Sequence, residues 1–470
     1  MQQNMNIFQD KKIGIWGFGV VGLSALTYFD QQQVQQIEIL DTKKITLPAT
    51  KNHVFATIQT DASILNFLHS NDYILASPGI KLHNYQNFAY KFINELDLIY
   101  HKTHYKTVAI TGTVGKTSIT HLLEKILQYK YPDSIAAGNI GHAMLNLISE
   151  KNNHQSTDLR FLILELSSFQ LQPIQKFAPD LAIMTNFFTN HLDHHLSVQE
   201  YFDAKCNIFK FQNNEQQALI PLNDDCTDII MQNAPHKKSC NLFFATRPSQ
   251  KDIEKYQDHT IYYDYDNKIH RIKNNLDEEI FDCDTLPASL TFAINWVIIV
   301  AASDILQIPL SIISLATQPI ALPDHRLQKI NISWNGSTFY NDSKSTVWQA
   351  TLQAVTSIKN DQPIKLFLGG LSKGADRTPL MQALQNHAIE IYAFGKEAEQ
   401  IGQLCAQFNI KYQIHATLDA SFAACMKSLQ SPHNILFSPG GSSFDLFADY
   451  KARGHYFTQL VENFCNKKSL

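Results

Sequence analysis

Residues 109–118 read AITGTVGKTS, and this stretch is the most informative in the chain. An apolar run, Thr107–Ile110, precedes it and a helical pattern over Thr117–Tyr129 follows it. Backbone amides of a glycine-rich turn can surround phosphate oxygens, while a lysine and a hydroxyl can reach the terminal phosphates and Mg²⁺. The spacing is that of a shortened G-x-x-G-K-T loop, because isoleucine stands where the longer pattern has its first glycine. We therefore predict a strand, a helix and, between them, a phosphate loop formed by Gly112, Thr113, Gly115, Lys116, Thr117 and Ser118.

Short apolar runs alternate with helical stretches on both sides of this loop, a pattern typical of parallel sheets and of the α/β class. The pattern begins near Lys12, restarts near Thr107 and restarts again after residue 321. We predict three domains: a Rossmann-like domain over residues 1–100, a central P-loop ATPase-like domain over 101–321 and a Rossmann-like domain over 322–470. The polar stretch 235–285 is expected to be an antiparallel insertion. The other expected strands are Lys12–Ile15, Ile37–Leu40, Tyr73–Ala76, Phe161–Leu164, Leu181–Met184, Ile364–Leu368 and Ile435–Phe437.

Composition excludes several classes of protein. The chain has 470 residues, of which 44% are hydrophobic and 17% charged, so a disordered chain is not expected. The formal net charge of −4, without a basic stripe, gives no sign of a nucleic-acid partner. Seven cysteines without a C-x-x-C pair indicate reduced thiols. Because three glycines interrupt the apolar run after Lys12, and the run over residues 296–302 is too short to span a bilayer, we expect a cytoplasmic protein without membrane insertion.

A second motif, FLILELSSFQ, covers residues 161–170. It is a buried strand that ends in Glu165, and ligands of α/β sheets lie beyond the carboxyl ends of strands. A glutamate at such a position is more often solvated, but the phosphate loop upstream favours a carboxylate that holds Mg²⁺.

Two further stretches follow, NFFTNHLDHH at residues 186–195 and YFDAK at 201–205. The histidines and the aspartate suggest a metal site, although their spacing fits no common zinc ligand set. On its own, Lys205 reads as a surface lysine on a helix.

Taken together and in this order, these motifs resemble the central domain of the Mur ligases. The resemblance implies that the loop binds ATP and that Lys116 is catalytic. It implies one Mg²⁺ on Thr117 and Glu165, and a second on His191 and a carbamylated Lys205.

The last third of the chain extends the resemblance. The segment LPDHR, residues 322–326, implies that Arg326 contacts ATP, and Asn295 is expected near the adenine. The segment NDSKST, residues 341–346, implies that Asp342 is associated with the nucleotide, and Lys344 and Thr346 with substrate. The segment GGLSKGAD, residues 369–376, implies that Lys373 contacts the incoming amino acid.

The first domain opens with GFGVVG at residues 17–22, and Asp41 ends the next strand. By itself this turn predicts either a dinucleotide cofactor or a Rossmann-like domain that binds another ligand. In the D-glutamate-adding Mur ligases the same turn receives a UDP diphosphate, and the segment SPGGSSF at 438–444 resembles their amino-acid loop. The resemblance implies amino-acid contacts from Thr346, Lys373, Ser443 and Tyr450, and UDP-substrate contacts from Gly19, Val20, Val21, Asp41, Thr42, Lys43, Gly79, Asn139, Ser167, Gln170 and Lys344.

The reaction implied is ATP-dependent addition of D-glutamate to UDP-N-acetylmuramoyl-L-alanine through an acyl phosphate, by a monomer that makes peptidoglycan precursors for cell-wall growth and division. Three alternatives stay open: another Mur-type or folylpolyglutamate synthetase-like ligase, a nucleotide-binding protein without catalysis, and an NAD-dependent oxidoreductase. The chain departs from the family by apolar residues at Val21, Val114, Phe292 and Val347, each loss of a hydrogen-bonding group costing about 1 kcal/mol.

Overall fold

The computed structural model describes residues 7–50, 52–100, 105–149, 159–188, 197–222, 227–232, 240–286, 291–318, 324–358 and 362–468. Within these ranges the strands form three sheets whose pairings are mostly parallel. The predicted α/β class is therefore confirmed. Every strand expected from an apolar run is present within one residue of its predicted ends.

The first sheet has five strands in the order β3-β2-β1-β4-β5, and all its pairings are parallel. Its strands are β1 (Lys12–Trp16), β2 (Gln36–Asp41), β3 (Val54–Ile58), β4 (Tyr73–Ala76) and β5 (Phe92–Ile93). Its helices are α1 (Val20–Asp30), α2 (Asp61–Ser70) and α3 (Glu95–Ile99), with a 3₁₀ segment at Leu82–Lys91. Trp16 and Phe67 lie in its core.

The second sheet has nine strands in the order β14-β13-β12-β11-β10-β9-β6-β8-β7. They are β6 (Lys106–Thr111), β7 (Ile135–Gly138), β8 (Phe161–Glu165), β9 (Leu181–Met184), β10 (Gln217–Pro221), β11 (Asn241–Phe244), β12 (Thr260–Tyr265), β13 (Lys268–Lys273) and β14 (Leu276–Asp282). The expectation of an antiparallel insertion over 235–285 is only half right. Strand β11 pairs in parallel with both β10 and β12, and the antiparallel pairing begins between β12 and β13.

Eight helices of the described chain accompany the second sheet in sequence. They are α4 (Lys116–Lys130), α5 (Asn146–Ser149), α6 (Ser168–Leu171), α7 (Val198–Lys210), α8 (Thr227–Gln232), α9 (Gln250–Lys255), α10 (Ala293–Ile305) and α11 (Ser311–Thr317), with a 3₁₀ turn at Cys283–Thr285. The predicted helix over Thr117–Tyr129 is thus confirmed as α4, one residue longer at each end.

The third sheet has six strands in the order β15-β16-β20-β17-β18-β19, antiparallel only between β15 and β16. Its strands are β15 (Gln328–Trp334), β16 (Ser337–Asn341), β17 (Ile364–Gly369), β18 (Ile389–Phe394), β19 (Lys411–His415) and β20 (Asn434–Phe437). Its helices are α12 (Trp348–Ser357), α13 (Thr378–Leu384), α14 (Ala398–Gln407), α15 (Leu418–Lys427) and α16 (Tyr450–Lys468).

The chain divides into two compact units, one containing the first two sheets and the other the third sheet. The three domain ranges given above stay predictions. Among the helices that the structure describes, none combines the length and the apolar character needed to cross a membrane.

Candidate functional site

The phosphate loop begins where β6 ends, and its conformation requires glycine at two positions. Gly112 has φ +136°, and a Cβ there would lie 2.0 Å from Thr185 Oγ1. Gly115 has φ +90° and forms the N-cap of α4. Both φ values lie where an L side chain is strained, so glycine lets the chain turn sharply from strand to helix. The loop therefore leads directly into the N-terminus of α4, the end of a helix that favours an anion.

Asn186 holds the loop from the side, a role that sequence reasoning missed. Its Oδ1 accepts hydrogen bonds from the backbone N–H of Thr113 at 3.1 Å and of Val114 at 2.9 Å. Its Nδ2 donates to Val114 O at 3.0 Å, and Thr185 Oγ1 donates to the same carbonyl at 2.6 Å. The signal was present, because these two polar residues follow β9, which lies next to β6 in the sheet.

Two lysines meet on one carbonyl of the loop. Lys116 Nζ donates to Gly112 O at 2.8 Å and to Thr113 O at 3.1 Å, and Lys205 Nζ donates to Gly112 O at 2.8 Å. Lys205 is only 2% exposed, so it is not the surface lysine that its helix alone would suggest. Burial, and then the charge of Lys116, lower the pKa of Lys205 well below its ordinary value. An amine in this environment favours its neutral, nucleophilic form.

Tyr201 lies one helical turn before Lys205 on α7 and was also missed as a site residue. Lys205 Nζ lies 4.7 Å from the centre of the Tyr201 ring, and the Tyr201 hydroxyl lies 3.4 Å from Thr113 Oγ1. Burial raises the pKa of Tyr201 to about 12. The tyrosine therefore stays a neutral hydroxyl beside the loop.

Glu165 ends β8, which pairs with β6 so that Glu165 lies opposite Ile110. The side chain is 5% exposed, and its Oε2 has no hydrogen-bond partner among the described residues. A buried carboxylate oxygen without a donor is costly unless a cation occupies the place. Together with the Thr117 hydroxyl at the start of α4, this donor set fits Mg²⁺. His191, the predicted ligand of a second ion, lies outside the described residues.

The residues that follow β7 and β8 lie at the same edge of the sheet. Gly138 has φ +103°, and a Cβ there would lie 2.3 Å from Glu165 O. The next residue, Asn139, donates its backbone N–H to that carbonyl at 2.9 Å and is itself exposed. Ser167 and Gln170 form the capping box of α6, with Gln170 Oε1 accepting from Ser167 N at 3.0 Å. Asn139 thus contacts Glu165 through its backbone, and Ser167 and Gln170 follow Glu165 within five residues along the chain.

The N-terminal turn contains Gly19, Val20 and Val21 at the start of α1, and Val20 is 76% exposed. Asp41 holds this turn against the next loop: its Oδ2 accepts from Phe18 N at 2.7 Å, and its Oδ1 from Lys43 N at 2.9 Å and Thr42 Oγ1 at 3.4 Å. Burial acts to raise the pKa of Asp41, but these hydrogen bonds outweigh it and the pKa is lowered. Asp41 therefore organises both loops. The predicted Gly79 belongs to the turn after β4 and faces open space.

In the second unit, Asp342 anchors a buried cluster at the end of β16. Its carboxylate accepts hydrogen bonds from the Ser345 and Ser438 hydroxyls, the latter at 2.7 Å, and from Leu327 N at 3.0 Å. Burial raises the pKa of Asp342 to about 6, against the effect of these bonds and of the Arg326 charge. Asp342 thus joins three predicted segments, those of Arg326, Lys344 and Ser443, at the carboxyl ends of β16 and β20.

The same cluster includes Lys344, whose Nζ lies 3.9 Å from the centre of the Tyr450 ring. Ser343 Oγ donates to Tyr450 O at 2.8 Å, and the fully buried Arg453 donates to Ser343 O at 2.8 Å and Gly441 O at 2.9 Å. Sequence reasoning missed Arg453, since nothing in the sequence alone marks an arginine within a helix as buried. Of the remaining predicted residues, Thr346 is half-buried and Ser443 is 3% exposed.

The structure shows the surroundings of three of the four apolar departures, Phe292, Val347 and Val114. Phe292 packs against the core of the third sheet, and Asn295 donates from Nδ2 to Thr291 Oγ1 at 2.7 Å. Val347 is the N-cap of α12 and provides no side-chain hydrogen bond, whereas a polar residue would cap the helix. Val114 contributes its backbone N–H and C=O, not its side chain, to the loop network.

The sequence of the chain is similar to those of known ligases. A family model described as the Mur ligase middle domain matches residues 110–284. A UDP-N-acetylmuramoylalanine–D-glutamate ligase of Haemophilus influenzae is 28% identical over 466 residues, which is 97% of this chain and 99% of that protein. A ligase of the same name from Macrococcus caseolyticus is 28% identical over 462 residues, covering 97% and 98% of the two chains.

Solved structures share the fold. MurF from Acinetobacter baumannii aligns with a TM-score of 0.58 at 16% identity, over 91% of this chain and 85% of that one. MurF ligase from Thermotoga maritima, in complex with ADP, aligns with a TM-score of 0.52 at 12% identity, over 98% and 96% of the two chains. The central segment thus matches the Mur ligase middle domain, and nearly the whole chain is similar to ligases that are named for D-glutamate addition.

Proposed function

We propose that this protein is the ligase that adds D-glutamate to UDP-N-acetylmuramoyl-L-alanine with hydrolysis of ATP to ADP and phosphate. The observation that carries the ligase chemistry is the phosphate loop beside a buried, unpartnered Glu165 oxygen. The choice of substrates rests on the relatives of that name, which align with 97% of the chain. In this proposal the protein acts as a cytoplasmic monomer in peptidoglycan precursor synthesis.

ATP binding is assigned to the loop. The amides at the start of α4 face the β- and γ-phosphates, and Lys116 exchanges its carbonyl partners, Gly112 O and Thr113 O, for phosphate oxygens. Arg326, Asp342 and Asn295 are proposed to complete the nucleotide site.

Thr117 and Glu165 would hold a Mg²⁺ ion, which neutralises charge on the phosphates when bound. Lys205 is proposed to react with CO₂ as a neutral amine: a C–N bond forms, one proton is lost, and the resulting carbamate is an anionic oxygen ligand. Its burial and the nearby Lys116 charge support this, since both disfavour the ammonium form. His191 is the proposed partner of that carbamate for a second ion.

The reaction has two steps. An oxygen of the L-alanyl carboxylate attacks the γ-phosphorus, and the bond to ADP breaks to give an acyl phosphate. The amine of D-glutamate then attacks the carbonyl carbon, phosphate leaves, and the amine loses a proton as the amide forms. Lys344, Thr346, Lys373, Ser443 and Tyr450 are proposed to place the two substrates, and the N-terminal turn with Asp41, Thr42 and Lys43 to receive the UDP group.

The test is phosphate release from ATP by the purified protein with Mg²⁺ and UDP-N-acetylmuramoyl-L-alanine, with and without D-glutamate. We expect release to require D-glutamate and the product to gain its mass. Release with a folate and L-glutamate, or with L-alanine and the unextended nucleotide sugar, would show that the protein is an ATP-dependent ligase with different substrates. ATP binding without release for every pair would contradict the proposal.

Lys116→Ala provides the matching control, because it removes the phosphate-binding cation. We expect turnover to fall below detection while the thermal unfolding midpoint changes little. Wild-type turnover in this variant would contradict the assigned role of the loop.

A further inference from the structure

The loop of residues 369–376, which follows β17, has an unusual backbone. Gly370 has φ +74°, Gly374 has φ +81°, and between them the non-glycine Lys373 has φ +54°. A long side chain at positive φ is strained, so surrounding contacts must hold it there. Lys373 is the residue proposed to contact the incoming amino acid, and its placement depends on whatever fixes this loop.

Glu397, the residue before α14, provides one such contact. Its Oε1 and Oε2 accept the backbone N–H of Ser372 at 2.9 and 3.0 Å, and Oε1 also accepts the Ser372 hydroxyl at 3.2 Å. Ser372 directly precedes Lys373. The carboxylate therefore fixes the peptide from which the strained lysine departs.

Arg377 provides the second contact from the other end of the loop. Its Nη1 forms an ion pair with Glu397 Oε2, and its Nη2 donates to Gly370 O at 3.1 Å. Arg377 is 4% exposed, and Glu397 is the only carboxylate within 4 Å of it in the part of the chain that the structure describes. A Cβ on Gly441 would lie 2.6 Å from Nη2, so the guanidinium also packs against the segment that leads to Ser443.

We propose that Arg377 and Glu397 are positioning residues: through the ion pair between the buried guanidinium and the half-buried carboxylate, they fix the 369–376 loop and so determine how Lys373 meets the amino-acid substrate. The inference rests on the proposed function in one respect, namely that Lys373 contacts that substrate. Neither residue touches the reacting atoms. Their effect should therefore appear in the use of the amino acid and not in the use of ATP.

Glu397→Gln is the decisive variant. Glutamine keeps an acceptor for Ser372 N but removes the charge that compensates Arg377, and a buried charge without its partner is strongly unfavourable. We expect the KM for D-glutamate to rise about tenfold or more, with the KM values for ATP and the UDP substrate within about twofold of wild type. Glu399→Gln, on the exposed face of the same helix, is the matched control and should leave all three KM values unchanged.

A merely structural role would give a different result. A lower thermal midpoint for Glu397→Gln with an unchanged KM for D-glutamate would overturn the inference. In the double variant Arg377→Met, Glu397→Gln, the uncompensated charge is gone, so we expect part of the lost stability to return while the KM for D-glutamate stays raised. Return of that KM to the wild-type value would also overturn it.

Hydrogen–deuterium exchange separates this inference from the proposed function, because it needs no turnover. The peptide covering residues 371–376 should exchange faster in Glu397→Gln than in wild type or Glu399→Gln. Equal exchange in all three proteins would contradict the proposal that Arg377 and Glu397 fix the loop, even if D-glutamate is the substrate. If wild type shows no D-glutamate-dependent turnover, the proposed function fails. Faster exchange in Glu397→Gln would still support the proposal that Arg377 and Glu397 fix the loop.

Discussion

The geometry of the phosphate loop depends on individual side chains that carry no charge. Asn186 makes three side-chain hydrogen bonds to the backbone of Thr113 and Val114, and Thr185 adds a fourth contact to Val114 O. The loop amides that donate to Asn186 are thereby held in one direction before any ligand arrives. Preorganisation of this kind reduces the entropic cost of binding a nucleotide.

Asn186→Ala should weaken ATP binding. Thr113 N keeps the backbone carbonyl of residue 186 as an acceptor at 3.2 Å, but the Val114 amide loses the side-chain oxygen that accepts its hydrogen bond, which costs about 1–3 kcal/mol. We expect the KM for ATP to rise about tenfold, with a smaller change in the KM for D-glutamate. Asn213→Ala, at an exposed turn, is the control. An unchanged KM for ATP would contradict the positioning role of Asn186.

Asp342 makes stability depend on pH in a direction opposite to that of most carboxylates. Its pKa rises from an ordinary 3.8 to about 6 because burial disfavours the charged form. The native state then holds a proton that the unfolded state has lost, so stability falls as pH rises from about 4 to about 6. The full difference corresponds to about 3 kcal/mol.

Asp342→Asn should therefore gain stability relative to wild type as pH rises. We expect the thermal midpoint of the variant minus that of wild type to be lowest near pH 4 and to increase up to about pH 6.5, since the asparagine does not titrate. Measuring both proteins across this range by calorimetry cancels the contributions of all other groups. A difference that stays constant with pH would refute the raised pKa.

Strands and helices were the part of the fold that the sequence predicted best. Apolar runs such as Phe161–Leu164 and Leu181–Met184 became central parallel strands, because strands buried on both faces are apolar along their whole length. The stretch 235–285 was harder, since β12 to β14 are polar and pair at the sheet's edge. Charged motifs such as Lys116 and Glu165 could be found as well. Asn186 had a signal, its position directly after β9, that was missed. Arg453 and Glu397 could not be found, because their roles come from contacts between residues distant in sequence.

Helix α7 places Tyr201 and Lys205 on the same face, four residues apart, against the phosphate loop. We expect Lys205→Ala to reduce turnover by more than about a thousandfold, and short carboxylic acids such as formate or acetate to restore part of it. Lys210→Ala, at the exposed end of the same helix, should behave as wild type. No rescue at any concentration of added acid would argue against a carbamate on Lys205.

Across the whole molecule, three α/β sheets follow one another along the chain, and relatives align with nearly all of it. The glycine-rich turns after β1 and β6 are proposed to bind different ligands, the UDP group and ATP respectively. Asp41, which would mark a dinucleotide site by its position in the sequence, has both carboxylate oxygens engaged by the backbone of adjacent loops. This arrangement favours a ligase with two nucleotide-bearing substrates over an NAD-dependent oxidoreductase.

The central claim is that the protein activates a carboxylate as an acyl phosphate, and the fate of the carboxylate oxygen tests it most directly. UDP-N-acetylmuramoyl-L-alanine labelled with ¹⁸O in the alanyl carboxylate is incubated with the protein, ATP, Mg²⁺ and D-glutamate, and the released phosphate is analysed by mass spectrometry. We predict that each released phosphate carries one oxygen from the carboxylate. Phosphate without the label, released while the D-glutamate product forms, would contradict the account.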